Sequence, residues 1–353
     1  MLKKEIDKIL SCLLLLFFSL LLASSAGASE ITIKDNLGRR VKIPEKVERI
    51  VCLQPELLRI LAALNSQHRV VAVDRFPSRY DHLMRIIFPD VEKLPVVSIT
   101  GEDVNIERII QLEPDLVLVS PSELNLATQL TRKLKCPVVS LSSMGSIERL
   151  LEEIEILAAI TGNQKRGKEI VRFMKEEINM VRQKSASYGR KPRVYLSFWG
   201  SILRSPFSYD PVDLAGGINL AGQFKSVHQG SDTVVLKLET LLGMDPDIIL
   251  VQGNYPPEER QVSVESVLTD ARLQSLKAVK ERKVHYTFGF WYWWDPALVL
   301  VESHYLAELF QKGQVEGNSI ISLGERIFYF FYGRPGLFEK LCAKIKAYEW
   351  FQN

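Results

Sequence analysis

Two segments of the chain spell one pattern. Residues 106–119 read IERIIQLEPDLVLV and residues 238–251 read LETLLGMDPDIILV, so Glu107 and Glu239 hold the same place in each copy. Both copies predict a short helix with a glutamate in its first turn, an acidic-Pro-Asp break, and then a buried strand. The proline ends the helix because its ring clashes with the preceding turn and it has no N–H to donate. The unbroken apolar run that follows suits a parallel strand covered on both faces. Two copies so far apart predict two α/β lobes of similar build facing one another across a cleft, rather than a solenoid.

The amino terminus stands apart from this architecture. Lys3 and Lys4 precede an apolar stretch from Ile9 to Ala23, and Ala26-Gly27-Ala28 forms a small-x-small site before Ser29. Residues 1–28 therefore read as a cleaved secretory signal peptide, which predicts a periplasmic protein. An uncleaved membrane tether is the rival, but the apolar run is short of the roughly 20 residues a spanning helix needs. Cys12 precedes or lies within that run, so a lipid anchor is not expected. Cys52, Cys136 and Cys342 remain, an odd number that does not resemble a disulfide framework.

The remaining 29–353 divide by pattern. Residues 29–145 predict a first lobe, opened by a hairpin that turns at Asp35 to Gly38, with strands at 49–53, 69–73, 116–120 and 137–141. Residues 146–190 are amphipathic and densely charged. They predict connecting helices, with Ile170, Phe173, Met174, Ile178 and Val181 on one face. Residues 191–312 predict a second lobe with strands at 193–198, 247–252 and 283–288 and a turn between helices at Gly216 to Gly222. In it Asp295 caps, and Pro296 opens, a helix running to about Gln311. Residues 313–353 predict a helical extension packed on the body. The fold class is α/β: two lobes, each a mostly parallel sheet flanked by helices, joined by one long helix.

Ligands of open α/β sheets bind beyond the carboxyl ends of the strands. That rule selects Gln54 and Arg75 in the first lobe. In the second it selects Trp199, the segment Gly253-Asn254-Tyr255 and the cluster Trp291, Tyr292, Trp293 and Trp294, while Arg204, like Arg75, could pair with ligand carboxylates through its planar fork. Adjacent tryptophans cannot all face one core, so some of them turn toward solvent or a ligand. An alternative has Trp291 and Trp293 packed inward, with Tyr292 and Trp294 covering a lobe surface. Catalytic patterns are scarce. The five histidines are scattered, no metal-ligand spacing or nucleophile elbow occurs, and no enzyme activity, cofactor or metal site is expected. Residues 162–168 nearly spell a phosphate loop but follow a helical pattern and place Glu169 where a hydroxyl must bind Mg²⁺. A net charge of +3 from 45 basic and 42 acidic side chains, with no basic tract, gives nucleic-acid binding no support.

Several of these segments together resemble the periplasmic solute-binding proteins of ABC importers, in the class III group that carries iron–siderophores, haem and cobalamin. The resemblance rests on Asp35-Asn36-Leu37-Gly38-Arg39-Arg40-Val41 with Glu48-Arg49-Ile50-Val51, on Asn105-Ile106-Glu107 with Glu113-Pro114-Asp115, and on Ala215-Gly216-Gly217-Ile218-Asn219. It implies two lobes with small hinge motion and a metal chelate between them, iron–siderophore first and cobalamin or haem next. It also implies a monomer that docks on an ABC permease dimer in the inner membrane through Glu107 and Glu239. A molybdate-type oxyanion also lies within the family's range. A chelate-processing enzyme on the same scaffold is the rival of another class. It would need cysteine or histidine ligands in the cleft, and Cys52 and Cys136 are expected away from strand ends.

Overall fold

The computed structural model describes residues 30–99, 103–143, 145–186, 189–225, 233–289 and 294–351. The signal segment 1–28 lies outside them.

In the first lobe a hairpin, β1 (Ile31–Lys34) and β2 (Arg40–Ile43), leads into five parallel strands. They are β3 (Ile50–Cys52), β4 (Val70–Asp74), β5 (Val96–Ser98), β6 (Leu116–Val119) and β7 (Val138–Ser140), ordered β5-β4-β3-β6-β7. In the second lobe β8 (Arg193–Ser197), β10 (Ile218–Asn219), β12 (Ile248–Gln252) and β13 (Val284–Thr287) form a parallel sheet ordered β10-β8-β12-β13. A small antiparallel ribbon pairs β9 (Arg204–Pro206) with β11 (Thr233–Val235). All residues of β6 and β12 are buried, as expected of central parallel strands.

The sequence repeat is also a structural repeat. Glu113 and Asp245, the residues before the two prolines, adopt left-handed backbone angles (φ 44° and 42°). Each following aspartate then reaches the neighbouring central strand. Asp115 Oδ2 accepts the backbone N–H of Arg49 (2.8 Å), and Asp247 Oδ2 accepts that of Arg193 (3.0 Å). The two arginines reciprocate: Arg49 Nη2 donates to Leu112 O and Arg193 Nη2 to Met244 O, both at 2.7 Å. These carbonyls belong to the unpaired carboxyl end of each helix, where a cation is favoured.

The helices Ile147–Ile160 and Gln164–Ser185 connect the lobes. At 1.5 Å per residue the second is about 33 Å long. A Cβ at Gly167 would fall 2.4 Å from the Ala158 side chain, so glycine there lets the two helices approach closely. Of the expected stripe, Ile170, Met174, Ile178 and Val181 are buried, while Phe173 stacks on Phe330 with centroids 3.9 Å apart. The carboxy-terminal helices Gly317–Tyr332 and Leu337–Ile345 pack on both lobes. Arg334 Nη2 donates to Ile86 O in the first lobe (3.1 Å), and the Tyr332 hydroxyl donates to Asp295 in the second (2.5 Å).

Three expectations need correction. Asp295 does cap, accepting from Ala297 N and Leu298 N (both 2.9 Å), but the regular helix is Leu298–Lys312. Residues 218–219 form the edge strand β10 rather than part of a turn between helices. Gly217 makes that possible, since a Cβ there would fall 2.8 Å from the Phe310 ring. Cys52 ends β3 instead of lying within a longer strand; its thiol donates to Gln54 O, and burial pushes its pKa up to about 12.

Candidate functional site

The carboxyl ends of β4, β8 and β12 converge on a cavity of about 400 Å³ between the lobes. The first lobe supplies Phe76 and Tyr80. At the end of β4 the Asp74 carboxylate accepts the Phe76 N–H (2.8 Å), starting the short helix Arg75–Arg79 and turning the chain toward the second lobe. Phe76 is buried, Tyr80 is 48% exposed, and the Arg75 guanidinium lies over the Tyr80 ring, 5.8 Å from its centroid.

The second lobe supplies the rest of the wall. After β8, Trp199 and Gly200 both take positive φ (52° and 67°), an uncommon angle for an aromatic residue. The Trp199 backbone N–H donates to Gln252 Oε1 at the end of β12 (3.0 Å), and Phe198 packs edge-on against the indole (5.7 Å). Arg204, the exposed first residue of β9, adds a cation to the cavity wall. Tyr255 and Gln261 enter from the loop after β12. The site therefore combines aromatic faces from both lobes with arginine and amide donors.

The residues expected here divide into four groups. Trp199 and Arg204 line the cavity, and Arg75 stands just behind it through Tyr80. Gln54 is outside the wall: it is 1% exposed, and both polar atoms of its side-chain amide are buried without a hydrogen-bond partner among the described residues. Trp294 is packed inside the molecule, 2% exposed and edge-on to Tyr209, while its backbone N–H donates to Glu56 (3.3 Å). Its place in interlobe packing replaces the surface position weighed for it. Trp291, Tyr292 and Trp293 lie outside the described residues. Tyr80, Gln252, Gln261 and Arg260 were not anticipated. Tyr255 had a signal, its position after a strand, but Tyr80 reaches the cavity only because a short helix carries it there.

Buried ionisable groups lie near the seam between the lobes. His82 of the first lobe meets Asn254 of the second at 3.3 Å, and desolvation lowers the imidazole pKa to about 4. Glu56 accepts from Ser143 N (3.0 Å) and Trp294 N, and burial raises its pKa. Glu153 is held well above the usual carboxylate range, first by burial and then by the nearby Glu56 charge. In the second lobe Glu302 accepts from the Tyr209 hydroxyl (3.1 Å) and Phe288 N (3.0 Å), and burial raises it to about 7. Glu107 and Glu239 are both exposed in the first turns of their helices. Among the described residues no group of three or more His, Cys, Asp or Glu side chains is placed to hold a metal ion. No described helix is long and apolar enough to cross a membrane.

Comparison with known proteins places this geometry. The molybdate-binding protein MolA of Haemophilus influenzae is 26% identical over 291 residues, spanning 74% of this chain and 78% of its own. A cobalamin-binding protein of Halobacterium salinarum is 23% identical over 233 residues, covering 65% of this chain and 60% of that one. The solved structure of MolA with molybdate, described as the periplasmic binding protein of an ABC transporter, superposes with a TM-score of 0.72 at 21% identity. It covers 86% of this chain and 98% of its own, a likeness of fold. The family model for periplasmic binding protein matches residues 50–288, from β3 past β13, and the chain belongs to that family as an extracytoplasmic substrate-binding protein of the ABC-transporter type.

Proposed function

We propose that this protein captures an anionic, aryl-bearing metal chelate in the cleft between its lobes and delivers it, unaltered, to an ABC permease in the inner membrane. One observation carries the reading: aromatic faces from both lobes, Tyr80 opposite Trp199 and Tyr255, border one cavity together with the Arg204 guanidinium. Aromatic walls favour flat ligand surfaces, and arginine pairs with carboxylate or catecholate oxygens through its planar fork. Iron–siderophore leads, with haem and cobalamin behind it. A periplasmic monomer with a cleaved signal segment fits that role. Glu107 and Glu239, one on each lobe, serve as contacts for arginines on the two halves of the permease.

A second reading has a specific observation behind it, the molybdate-binding relative at 26% identity. Arg204, Gln252 and Gln261 offer donors to a tetrahedral oxyanion, but the aromatic area around them exceeds what so small a ligand needs. An enzymatic reading draws no support from the cavity, whose described lining holds neither cysteine nor histidine, while Cys52 is buried in the core with its thiol turned to Gln54 O.

Isothermal titration of the purified protein with ferric tris(2,3-dihydroxybenzoate), haemin, cyanocobalamin and sodium molybdate separates these readings. Tight one-to-one binding of a chelate, weakened by Arg204→Ala and by Trp199→Ala, is the expected result. Binding of molybdate alone, or of a chelate with both variants unchanged, would overturn it.

A further inference from the structure

The loop that follows β12 brings Tyr255, Glu259, Arg260, Gln261 and Val262 to the cavity, yet its only regular element is the short turn Pro257–Glu259. A loop of that kind needs fixing from outside to hold a binding wall. One side chain in it reaches out in three directions. Arg260 Nε donates to Tyr255 O (2.9 Å), and Nη2 donates to Gly253 O (3.0 Å) and to Ile345 O, the last residue of the helix Leu337–Ile345. The same guanidinium lies over the rings of Tyr286 in β13 (4.7 Å) and Trp350 in the terminal turn Ala347–Phe351 (5.6 Å).

The tail is fitted closely to the loop base. A Cβ at Gly253 would fall 2.5 Å from the Trp350 indole, and the Tyr286 and Trp350 rings lie 5.3 Å apart. On the cavity side, a Cβ at Gly200 would fall 2.4 Å from Gln261 Oε1, so the loop also backs the turn that carries Trp199.

We infer that Arg260 is a positioning residue of the ligand cleft, through which the carboxy-terminal turn sets the ligand affinity without touching the ligand. Three carbonyl acceptors and two aromatic faces match the planar fork of arginine, and a lysine ammonium cannot reproduce that arrangement. Fixing a binding loop in its bound shape raises affinity by removing the ordering cost at association. The inference rests on the proposed use of this cavity. Its test has one arm that needs no ligand.

In the ligand-free full chain, amide hydrogen exchange is compared among wild type, Arg260→Lys and Trp350→Ala. Faster exchange confined to residues 253–262, with the melting temperature nearly unchanged, is expected. Unchanged exchange there, or acceleration spread through the second lobe, would overturn the inference. In the second arm, calorimetry with whichever of the four probes binds wild type is expected to show affinity about tenfold weaker in Trp350→Ala, as a lost preorganisation predicts. Tyr255→Ala combined with Trp350→Ala should then bind no more weakly than Tyr255→Ala alone. Strictly additive losses would also overturn it, since the tail would then act by another route. Failure of every probe to bind wild type would count against the proposed function, while the exchange arm still decides the role of Arg260.

Discussion

In each lobe an arginine at the start of a central strand grips the carboxyl end of the preceding helix in space, and an aspartate returns the contact to the strand backbone. Arg49 with Asp115 and Arg193 with Asp247 are the same device. Toward the cleft the lobes differ. The first offers a short helix bearing Phe76 and an exposed Tyr80, whereas the second offers Trp199, Arg204 and a loop tied to the tail. The frame repeats because it must build two similar cores. Under the proposed function, the walls diverge because each would meet a different part of one ligand. A repeat visible in sequence thus marks the scaffold, and the loops that break it mark the site.

The largest effect expected to sharpen this comparison is on pH dependence, where one buried group in each lobe acts with opposite sign. His82 has a depressed pKa, so the unfolded chain takes up its proton first. Stability is complete above its ordinary value of 6.5 and falls as pH drops toward about 4. Glu302 is raised instead, so its contribution is complete below 4.5 and is lost as pH rises through about 7. Each shift corresponds to at most about 3 kcal/mol. The two windows overlap with opposite sign, so urea unfolding of the wild type should vary little between about pH 4.5 and 6.5. His82→Gln should instead leave stability falling as pH rises toward about 7, and Glu302→Gln should leave it falling as pH drops toward about 4. Variants whose profiles stay as flat as the wild type would contradict both assignments.

Next in size is permease docking. Removing one member of a desolvated charge pair at an interface costs about 2–5 kcal/mol, so Glu107→Ala and Glu239→Ala should each weaken docking on the order of 100-fold. Reconstituted vesicles would show the loss in uptake, while titration of the free protein shows ligand affinity unchanged. A loss in only one variant would mean the lobes dock unequally.

The twin clasp is expected to contribute similarly in both lobes. Asp115→Ala leaves the N–H groups of Glu48 and Arg49 without their acceptor, at a cost of about 2 kcal/mol. Asp247→Ala should cost at least as much, because Asp247 also pairs with Lys277 (2.7 Å) and Arg190 (3.3 Å). Chemical denaturation of the two variants checks this order. The smallest effect is at the cleft: Tyr80→Ala should weaken chelate binding about tenfold and Trp199→Ala somewhat more, as aromatic anchors do. Equal and negligible losses would shift the ligand away from both walls.

The frame was legible because its signals are local. Proline stops a helix at any position past its first turn, an apolar run of the right length makes a buried strand, and a carboxylate suits a helix start in any context. The wall was legible only in part. Trp199 and Tyr255 follow strands in sequence, and the strand-end rule found them, whereas Arg204 was singled out by its charge alone. Tyr80 follows a helix, so the rule passed over it. The rule also selected Gln54 and Trp294, which the interlobe packing buries.

By itself the sequence determined two duplicated α/β units, the helices between them and the positions of the paired glutamates, because short-range sterics and periodicity decide such elements. Which aromatic rings face the cleft, which carboxylates are buried at the seam, and that Arg260 joins a binding loop to the last turn were decided by tertiary structure. Those outcomes depend on contacts between residues as distant as Arg260 and Ile345, and only closure of the whole chain brings such pairs together.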